Sequence, residues 1–360
     1  MNSPHNEHAR TAIAVAGCSA PDVAVIVPTF NRAASLDRVL DSLCAQRVEG
    51  IRYEILIVDN GSTDHTLEVA AAYASAFPFV RCLSEARAGA SNARNRGILS
   101  ARARILAFID DDVVASPDWI DGIVRAFDRH PEIDCLGGRV EPRWPRTPPR
   151  WLTPAHWGPL ALQMGRGTAP YIDAAHAAAC LVTANFACRA EVLHEVGLFS
   201  PEFIRDEDRE LNMRLWAAGK RGKYEDSVVA YAQVQPERLE KSYHRRWHAV
   251  TGESHARLRY REAIDRDGRL RPTADIPGRS FLGSPAFLYR ELLEHFGCWL
   301  WRAARGRWDD AFIHECRMRY LFNYLRTRWH MIRGDRAYRP QAGAWSARSE
   351  GEVTTARPAR

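Results

Sequence analysis

The sequence predicts an α/β protein built on a mainly parallel sheet flanked by helices, with a helical extension towards the C-terminus. Three observations support this fold class. Short apolar strands alternate with helical patterns up to about residue 130, polar clusters follow the strand ends, and the pattern is helical from Ser284 onward. Because strands that alternate with helices are joined by right-handed crossovers, the ligand is expected at the carboxyl ends of the strands.

The first half of the chain contains four predicted strands and four predicted helices. The strands are short, apolar and rich in β-branched residues, at 23–27, 53–58, 80–83 and 105–109. Apolar residues recur at helical spacing at 33–45. A second helix is predicted at 64–74, and a third is predicted to open at 91–99. A fourth helix is predicted to have Ser116 as its N-cap and Pro117 at its first position, and to end near His130.

The second half of the chain is less regular. A short strand is predicted at 139–141, and residues 142–182 are rich in proline and tryptophan, which indicates an ordered but irregular excursion of the kind that is often functional. Helices are predicted to begin at Ser284 and near Asp309. We expect a disordered leader over 1–21 and a disordered tail over 335–360.

Composition and charge narrow the functional classes. The 360 residues are 46% hydrophobic and 26% charged, which is typical of a globular enzyme. The net charge of +6 comes almost entirely from arginine, which suits an anionic substrate or an anionic lipid surface. No basic run is interleaved with stacking aromatic residues, so we do not expect a nucleic-acid partner.

Cysteine usage and hydropathy indicate the compartment. The eight cysteines are scattered without CxxC pairs, which favours reduced thiols in a cytoplasmic protein. Residues 15–18 resemble a lipoprotein cleavage site, but the apolar run before Cys18 is too short for a signal peptide. A disordered leader is therefore favoured over a signal peptide. No uninterrupted apolar run has the length of a membrane span, so the chain is expected to be soluble or peripheral.

The most informative feature is the buried strand at 105–109, which runs directly into Asp110, Asp111 and Asp112. Carboxylate oxygens are ligands that a divalent cation prefers, and a cation at this edge of a sheet can hold a diphosphate. An acidic turn on its own can also be purely structural. Its position after a buried strand, with other polar clusters ahead of it, favours the metal site.

Three further clusters follow strands, and each also has a plain structural interpretation. In the first loop Pro28 ends the strand, and short polar side chains follow it, which alone would make a turn. Asp59 and Asn60 end the second strand, where an acid can also support a helix cap. Arg94 and Asn95 lie near a helix start and can contact phosphate or ribose oxygens, or can simply be exposed.

Taken in order, the motifs resemble those of the family 2 glycosyltransferases, the inverting enzymes of GT-A fold. The resemblance covers about residues 22–260 and is carried by several segments. These are 25–32 (VIVPTFNR), 58–64 (VDNGSTD), 89–97 (GASNARNRG), 110–112 (DDD), 184–189 (ANFACR), 196–199 (VGLF) and 206–208 (DED). Each motif is weak alone, and their order makes the resemblance specific.

The resemblance implies a nucleotide-diphosphate sugar donor, a UDP-sugar above all, and a hydroxyl acceptor on a glycan or a lipid-linked molecule. It implies Mg²⁺ or Mn²⁺ held by Asp112 with Asp110, and Asp208 as the general base beside Glu207. The implied donor-binding residues are Pro28, Thr29, Asn31, Arg32, Asp59, Asn60, Arg94, Asn95, Asp110 and Asp111. The implied acceptor-side residues are Asn185, Arg189 and Trp151.

Two departures from the family pattern refine this hypothesis. Where many relatives carry a histidine, this chain has Gln233 and Gln235, so any role of that histidine is unfilled or passes to a glutamine. The run 245–247 (RRW) is similar to the signature of processive synthases, but Tyr243 replaces its glutamine. Since no membrane span is predicted either, a single-addition enzyme is favoured.

The predicted organisation is a glycosyltransferase domain over 22–260, with a nucleotide-sugar half at 22–141 and an acceptor half at 142–260. A helical extension at 261–334 either packs on that domain or contacts an anionic membrane. Two rival functions remain open. A nucleotidyltransferase would need a glycine-rich, lysine-bearing loop after the first strand, which is missing. A noncatalytic glycan-binding or scaffold protein would tolerate loss of the acids, which are all present.

Overall fold

The computed structural model describes residues 20–164, 171–271, 281–282 and 284–334. The predicted tail, and all but the last two residues of the predicted leader, lie outside these ranges. Within these ranges, eight strands form one sheet: β1 Val23–Thr29, β2 Tyr53–Asp59, β3 Val80–Ser84, β4 Ile105–Phe108, β5 Val113–Ala115, β6 Cys135–Arg143, β7 Phe186–Arg189 and β8 Gly222–Gln233.

The α-helices of the described ranges alternate with the strands and then follow them. They are α1 Ala33–Cys44, α2 Thr66–Ala76, α3 Ala90–Ser100, α4 Trp119–Arg129, α5 Ala190–Val196, α6 Glu207–Ala217, α7 Lys241–Arg257, α8 Tyr260–Ala263, α9 Ala286–Ala303 and α10 Trp308–Ile332. Short 3₁₀ helices, of three or four residues each, interrupt the segments after β6 and β8.

The strand order is β3-β2-β1-β4-β7-β6-β8-β5. The first four strands in this order are parallel, as predicted. Strand β7 lies antiparallel between β4 and β6, β6 and β8 are parallel, and β5 is antiparallel to β8 at the edge. Helices cover both faces of the sheet, which explains why β1 and β2 are buried along their whole length.

Alternate side chains of the central strands feed two separate cores. Val23, Val25 and Val27 pack with α1, α2 and α4 on one face, and Ala24 and Ile26 pack with α3, α5 and α6 on the other. This arrangement places the loops after β1, β2 and β4 together at one edge. The predicted mainly parallel, helix-flanked sheet is therefore confirmed.

Several predicted boundaries differ from the structure, and two of the differences have a clear physical cause. Helix α4 begins at Trp119 rather than at Pro117, because the backbone N–H of Ser116 donates to Val229 of β8 at 3.0 Å and keeps Ser116 in the sheet. Strand β6 includes the two glycines that were expected to precede it. A side chain at Gly138 would meet the Val228 carbonyl oxygen at 2.3 Å, so only glycine lets the neighbouring strand approach there.

The C-terminal helices pack on the rest of the molecule through α7. Helix α10 crosses α7 so closely that a β-carbon at Gly252 would lie 2.3 Å from the carbonyl oxygen of Tyr320. The His255 ring and the Tyr320 hydroxyl are 2.9 Å apart, and Arg245 forms two hydrogen bonds with Glu315. Helix α9 packs against α10 and leaves its other side exposed.

Two statements apply to the described residues only. Among them, no helix is both long enough and apolar enough to cross a bilayer. The seven cysteines they include are all free thiols, consistent with the scattered spacing.

Candidate active site

A cavity of about 290 Å³ opens at the carboxyl edge of the parallel strands. It lies between the loops after β1, β2 and β4, the start of α3 and the turn after β8. Eight of the residues predicted for the donor or the metal line it: Pro28, Thr29, Arg32, Asn60, Arg94, Asp110, Asp111 and Asp112. The sheet thus brings together side chains that are up to 84 positions apart in the sequence.

Hydrogen bonds between loops fix the shape of the cavity wall. Asn31 adopts a left-handed backbone conformation (φ 51°), and its side-chain oxygen accepts from the Thr63 N–H at 2.8 Å. Asn60 accepts from the Gly89 N–H at 2.7 Å and donates to two carbonyls of the loop before α3. The loops after β1, β2 and β3 therefore form one connected unit.

Asp59 is 1% exposed, and its carboxylate faces its own loop rather than the cavity. It accepts hydrogen bonds from the N–H groups of Gly61 and Ser62 at 3.0 to 3.3 Å. These bonds order the loop between β2 and α2, and α2 itself has no side-chain N-cap. Asp64 also orders this loop by accepting from the Thr66 N–H at 3.0 Å near the start of α2.

Arg94 connects the acidic turn with the segment around the expected base. Its guanidinium donates to Asp110 and to Glu207, each at 2.8 Å, and lies over the Phe199 ring at 5.5 Å. The side chain is only 4% exposed, against 32% for Asp110 and 15% for Glu207. Despite burial, these two carboxylates raise the pKa of Arg94, so it stays charged and holds the two acidic segments together.

The other two carboxylates of the turn have different surroundings. Burial, followed by the charge of Asp112, raises the pKa of Asp111 to about 7. Asp112 is 7% exposed and accepts a hydrogen bond from the Arg238 guanidinium at 2.8 Å. Arg238 follows β8, and the sequence analysis missed it because nothing in the spacing shows that it meets a residue 126 positions earlier.

Three acids lie together at the start of α6. Burial, followed by the charges of Glu207 and Asp206, raises the pKa of Asp208 to about 7. Although burial opposes it, His255 and the nearby arginines hold the pKa of Asp206 below its ordinary value. Glu207 is engaged by Arg94. Of the three, Asp208 therefore has the proton affinity that suits a general base near neutral pH.

Asp208 does not line the 290 Å³ cavity itself, but it is adjacent to Glu207, which Arg94 ties to the cavity. One of its oxygens accepts from the Arg209 N–H at 2.7 Å. Behind it, Asn212 donates to the Asp208 carbonyl at 2.7 Å and exchanges hydrogen bonds with Leu181. Asn212 is a second residue that the sequence analysis missed, and it anchors the turn that carries the acid.

Asn95 does not reach the cavity, although a donor contact was expected. Its amide donates to the Phe199 carbonyl at 2.8 Å and accepts from the Phe199 N–H at 2.9 Å. Both polar ends of the side chain are therefore used inside the chain. Asn95 fixes the 196–199 segment, whose Phe199 ring in turn packs against Arg94.

The three predicted acceptor-side residues are also committed to contacts within the chain. Asn185 is 1% exposed; it accepts from the Trp119 ring N–H at 2.8 Å and donates to the carbonyls of Arg139 and Val228. Arg189 donates to the carbonyls of residues 131 and 133. Trp151 is 8% exposed and packs edge-on against His244 and Phe312.

These three residues do not line the cavity, because their polar atoms and aromatic faces stabilise the fold. Residues of these three types are common at binding sites. Here, however, their polar atoms and rings contact residues that are distant in the sequence.

The two departures from the family pattern also have structural counterparts. The backbone N–H of Gln233 donates to the Asp112 carbonyl at 2.8 Å, and its side chain bonds Arg38. In the 245–247 run, Arg245 pairs with Glu315 and Trp247 stacks with Arg205, while Tyr243 donates to the Pro159 carbonyl at 3.0 Å. These contacts dock α7 and do not form part of the cavity.

The acidic turn fits a divalent cation in part. Its three carboxylates face one cavity and present oxygen ligands, which suit Mg²⁺ or Mn²⁺. Within the described ranges, no three His, Cys, Asp or Glu side chains are arranged to enclose an ion. Since Mg²⁺ is usually held by one or two carboxylates together with substrate phosphates, the turn suits an ion that binds with its substrate.

Comparison with known proteins identifies relatives over the first half of the chain. Residues 24–197 match the model described as Glycosyl transferase family 2. Glycosyltransferase AglE of Haloferax volcanii is 35% identical over 126 residues, which cover 35% of this chain and 41% of that protein. Validoxylamine A glucosyltransferase of Streptomyces hygroscopicus subsp. jinggangensis is 36% identical over 107 residues, 29% of this chain and 25% of that one. These matches span less than half the length of either relative.

Solved structures resemble the chain over most of its length. Mannosyltransferase PcManGT from Pyrobaculum calidifontis, in complex with GDP-Man and Mn²⁺, has a TM-score of 0.57 and 19% identity, covering 86% of this chain and 88% of that one. S. aureus TarS 1-349 in complex with UDP has a TM-score of 0.50 and 18% identity, covering 87% and 92%. At these identities the similarity bears on the fold, and it confirms the expected GT-A architecture.

Proposed function

We propose that this chain, which belongs to family 2 of the glycosyl transferases, moves one sugar from a nucleotide-diphosphate donor, most simply a UDP-sugar, to a hydroxyl of a glycan or lipid-linked acceptor in polysaccharide or glycoconjugate synthesis. The observation that carries the proposal is a cavity at the carboxyl edge of the sheet lined by three aspartates and three arginines. Such a cavity offers both a cation site and guanidinium groups to a diphosphate. Complexes of similar proteins with UDP and GDP-Man support this choice of donor class.

In the proposed reaction, residues 22–141 bind the donor and residues 142–260 present the acceptor. Asp208 takes the proton of the acceptor hydroxyl while its oxygen attacks the anomeric carbon. The bond between that carbon and the diphosphate breaks, and the diphosphate leaves with the electron pair. A single displacement of this kind inverts the anomeric configuration, and one addition per donor makes the enzyme non-processive.

The acidic turn would hold Mg²⁺ or Mn²⁺ through Asp112 and Asp110. When bound, the cation supplies neutralising charge to the departing diphosphate. Arg94 has a positioning role, because it fixes Asp110 of the donor side and Glu207 of the base side relative to each other. Arg32 lines the same cavity and would contact the diphosphate directly.

Two experiments test the proposal. A thermal-shift screen of nucleoside diphosphates with and without Mn²⁺ should show one nucleotide that stabilises the protein more when Mn²⁺ is present, since a ligand that binds only the folded state raises stability. Asp208→Asn should keep that stabilisation and lose donor turnover. No nucleotide response, or full turnover by Asp208→Asn, would refute the assignment.

The same experiments separate the rival functions. A noncatalytic glycan-binding or scaffold protein would show no turnover in either form. A nucleotidyltransferase would release pyrophosphate from a nucleoside triphosphate, whereas the proposed reaction releases a nucleoside diphosphate from a sugar donor. None of the described residues that line the cavity is a lysine, and three are arginines, which favours the transferase over the nucleotidyltransferase.

We also propose that the C-terminal helices dock on an anionic bilayer, with the chain in the cytoplasm at the inner face of its membrane. Of the 15 large apolar side chains that are exposed in the described ranges, 11 lie between residues 281 and 332. On α9 they include Leu293 (69% exposed), Phe296 (50%) and Leu300 (52%), which share one helix face. Single exposed apolar residues are common, whereas such a concentration marks a contact surface.

Charge complementarity favours a bilayer as the occupant of this face. Residues 286–333 contain nine arginines and five acidic residues, so the helical pair is positively charged. Trp301 is half exposed at the edge of the face, and Arg305 stacks on its ring at 3.7 Å. Tryptophan and arginine beside an apolar stripe are typical of helices that lie in the headgroup region of anionic membranes.

Vesicle sedimentation tests this contact. The protein should sediment with vesicles containing phosphatidylglycerol and less with pure phosphatidylcholine, and Leu293→Glu with Leu300→Glu should abolish the binding. Leu67→Glu is the matched control, because Leu67 is an equally apolar, 44% exposed residue on α2. The proposal would be refuted if the double variant bound the vesicles as well as the unmodified protein does. It would also be refuted if light scattering showed that this face mediates self-association instead.

A further inference from the structure

Arg238 is the one guanidinium in the described cavity lining that contacts Asp112, the residue expected to hold the cation. Its Nη2 lies 2.8 Å from Asp112 Oδ2, and the two side chains are 21% and 10% exposed. Among the other residues of the turn, Asp110 is bound by Arg94. Guanidinium groups therefore engage both of the carboxylates that the cation would use.

The backbone around Arg238 is anchored, and its guanidinium donates one hydrogen bond to Asp112. Residues Pro236–Leu239 form a 3₁₀ helix, and the Nε2–H of His244 donates to the Arg238 carbonyl at 3.0 Å. The His244 ring is fully buried, and burial lowers its pKa to about 4, so it remains a neutral donor at physiological pH. A long side chain on an anchored backbone can change partners without moving the fold.

We infer that Arg238 competes with the divalent cation for Asp112, and that it turns to the donor diphosphate when the cation binds. The inference rests on the proposed function. A cation at normal bonding distance from Asp112, about 2.1 Å for Mg²⁺, would lie within a few ångströms of the guanidinium and repel it. The diphosphate offers the displaced guanidinium a new anionic partner in the same cavity.

This exchange makes the cation and the diphosphate bind cooperatively. A cation alone must break the Arg238–Asp112 pair without compensation, so it binds weakly. A cation and a diphosphate together give every charge a partner, so each strengthens the binding of the other by the same factor. The cavity thereby binds the free cation weakly, and it binds the cation and the donor diphosphate more tightly when both are present.

The test measures Mn²⁺ affinity directly, from the EPR signal of free Mn²⁺, first without nucleotide and then with added UDP, and it does not depend on turnover. Arg238→Gln should bind Mn²⁺ about tenfold more tightly than the unmodified protein, within the range typical of coupled sites. Arg238→Lys keeps the positive charge and should stay near the unmodified value. Arg38→Gln is the matched control, since Arg38 bonds Gln233 beside the site and does not contact Asp112.

The outcomes separate this inference from the proposed function. Unchanged or weaker Mn²⁺ binding by Arg238→Gln, in a variant that melts like the unmodified protein, would overturn the competition. Tighter Mn²⁺ binding with a smaller gain from added UDP would support it. Loss of every nucleotide response in the unmodified protein would refute the proposed function, whereas the Mn²⁺ affinity of Arg238→Gln alone decides this inference.

Discussion

The environment of Asp208 sets an expected pH dependence for sugar transfer. Burial and two neighbouring acids raise its pKa to about 7, and a general base acts only in its ionised form. The ionised fraction falls tenfold for each pH unit below the pKa. We therefore expect kcat/KM to reach a plateau above about pH 8 and to fall about tenfold at pH 6 and about a hundredfold at pH 5.

The assay follows release of the nucleoside diphosphate from the donor that the thermal-shift screen identifies, over the whole pH range. Asp208→Asn should be inactive at every pH, because an amide cannot take the proton. Glu202→Gln is the control, since Glu202 is an exposed acid six positions earlier and should leave the profile unchanged. Activity that stays flat down to pH 5, or a profile that persists in Asp208→Asn, would refute the assignment of the base.

The same pKa shift predicts an effect on stability with a definite sign. Because the folded protein holds the Asp208 proton more tightly than the unfolded chain does, raising the pH from about 4 to about 7 costs stability. Asp208→Asn removes this cost. Its melting temperature should exceed that of the unmodified protein above pH 7, and the difference should shrink towards pH 4; a gain that is largest in acid would contradict the reasoning.

Three further predictions concern the contacts that hold the site. Arg94→Met leaves two carboxylates without their shared cation and should lower the free energy of unfolding by about 3–5 kcal/mol, as measured by urea denaturation; a loss near zero would exclude the bridge. Asn185→Ala orphans three buried hydrogen-bonding groups and should cost about 3 kcal/mol or more, seen in the same assay, while nucleotide affinity at low temperature stays unchanged. Gly252→Val forces α10 away from α7 and should cost about 1–3 kcal/mol, with a lower melting temperature; an unaltered one would show that the helices can separate freely.

The parallel part of the fold could be predicted because its signals are local. Strand β1 is a continuous apolar run up to Pro28, β2 is apolar between Glu54 and Asp59, and α1 repeats its apolar residues at helical spacing. The acidic turn after β4 was placed correctly for the same reason. A parallel sheet gathers the ends of its strands, so residues that follow different strands could be assigned to one cavity before the structure was known.

The remaining site residues depend on contacts that no local pattern contains. Asn185 and Trp151 have the composition of ligand-binding residues, but their partners in the fold lie up to 161 positions away. Strand β7 is four residues long, and its antiparallel insertion between β4 and β6 leaves no periodicity to detect. Arg238 was missed for the same reason, since an arginine in a turn has no distinguishing spacing.

The close crossing of α7 and α10 constrains how far this protein could be shortened. Trp308–Ile332 covers the side of α7 that contains Gly252 and His255, and its Phe312 fills the space around Trp151. A truncated form that stops before Trp308 would expose that apolar seam to water and should be recovered as insoluble material. A minimal form of this protein would therefore have to keep helix α10, although none of the described cavity-lining residues lies on it.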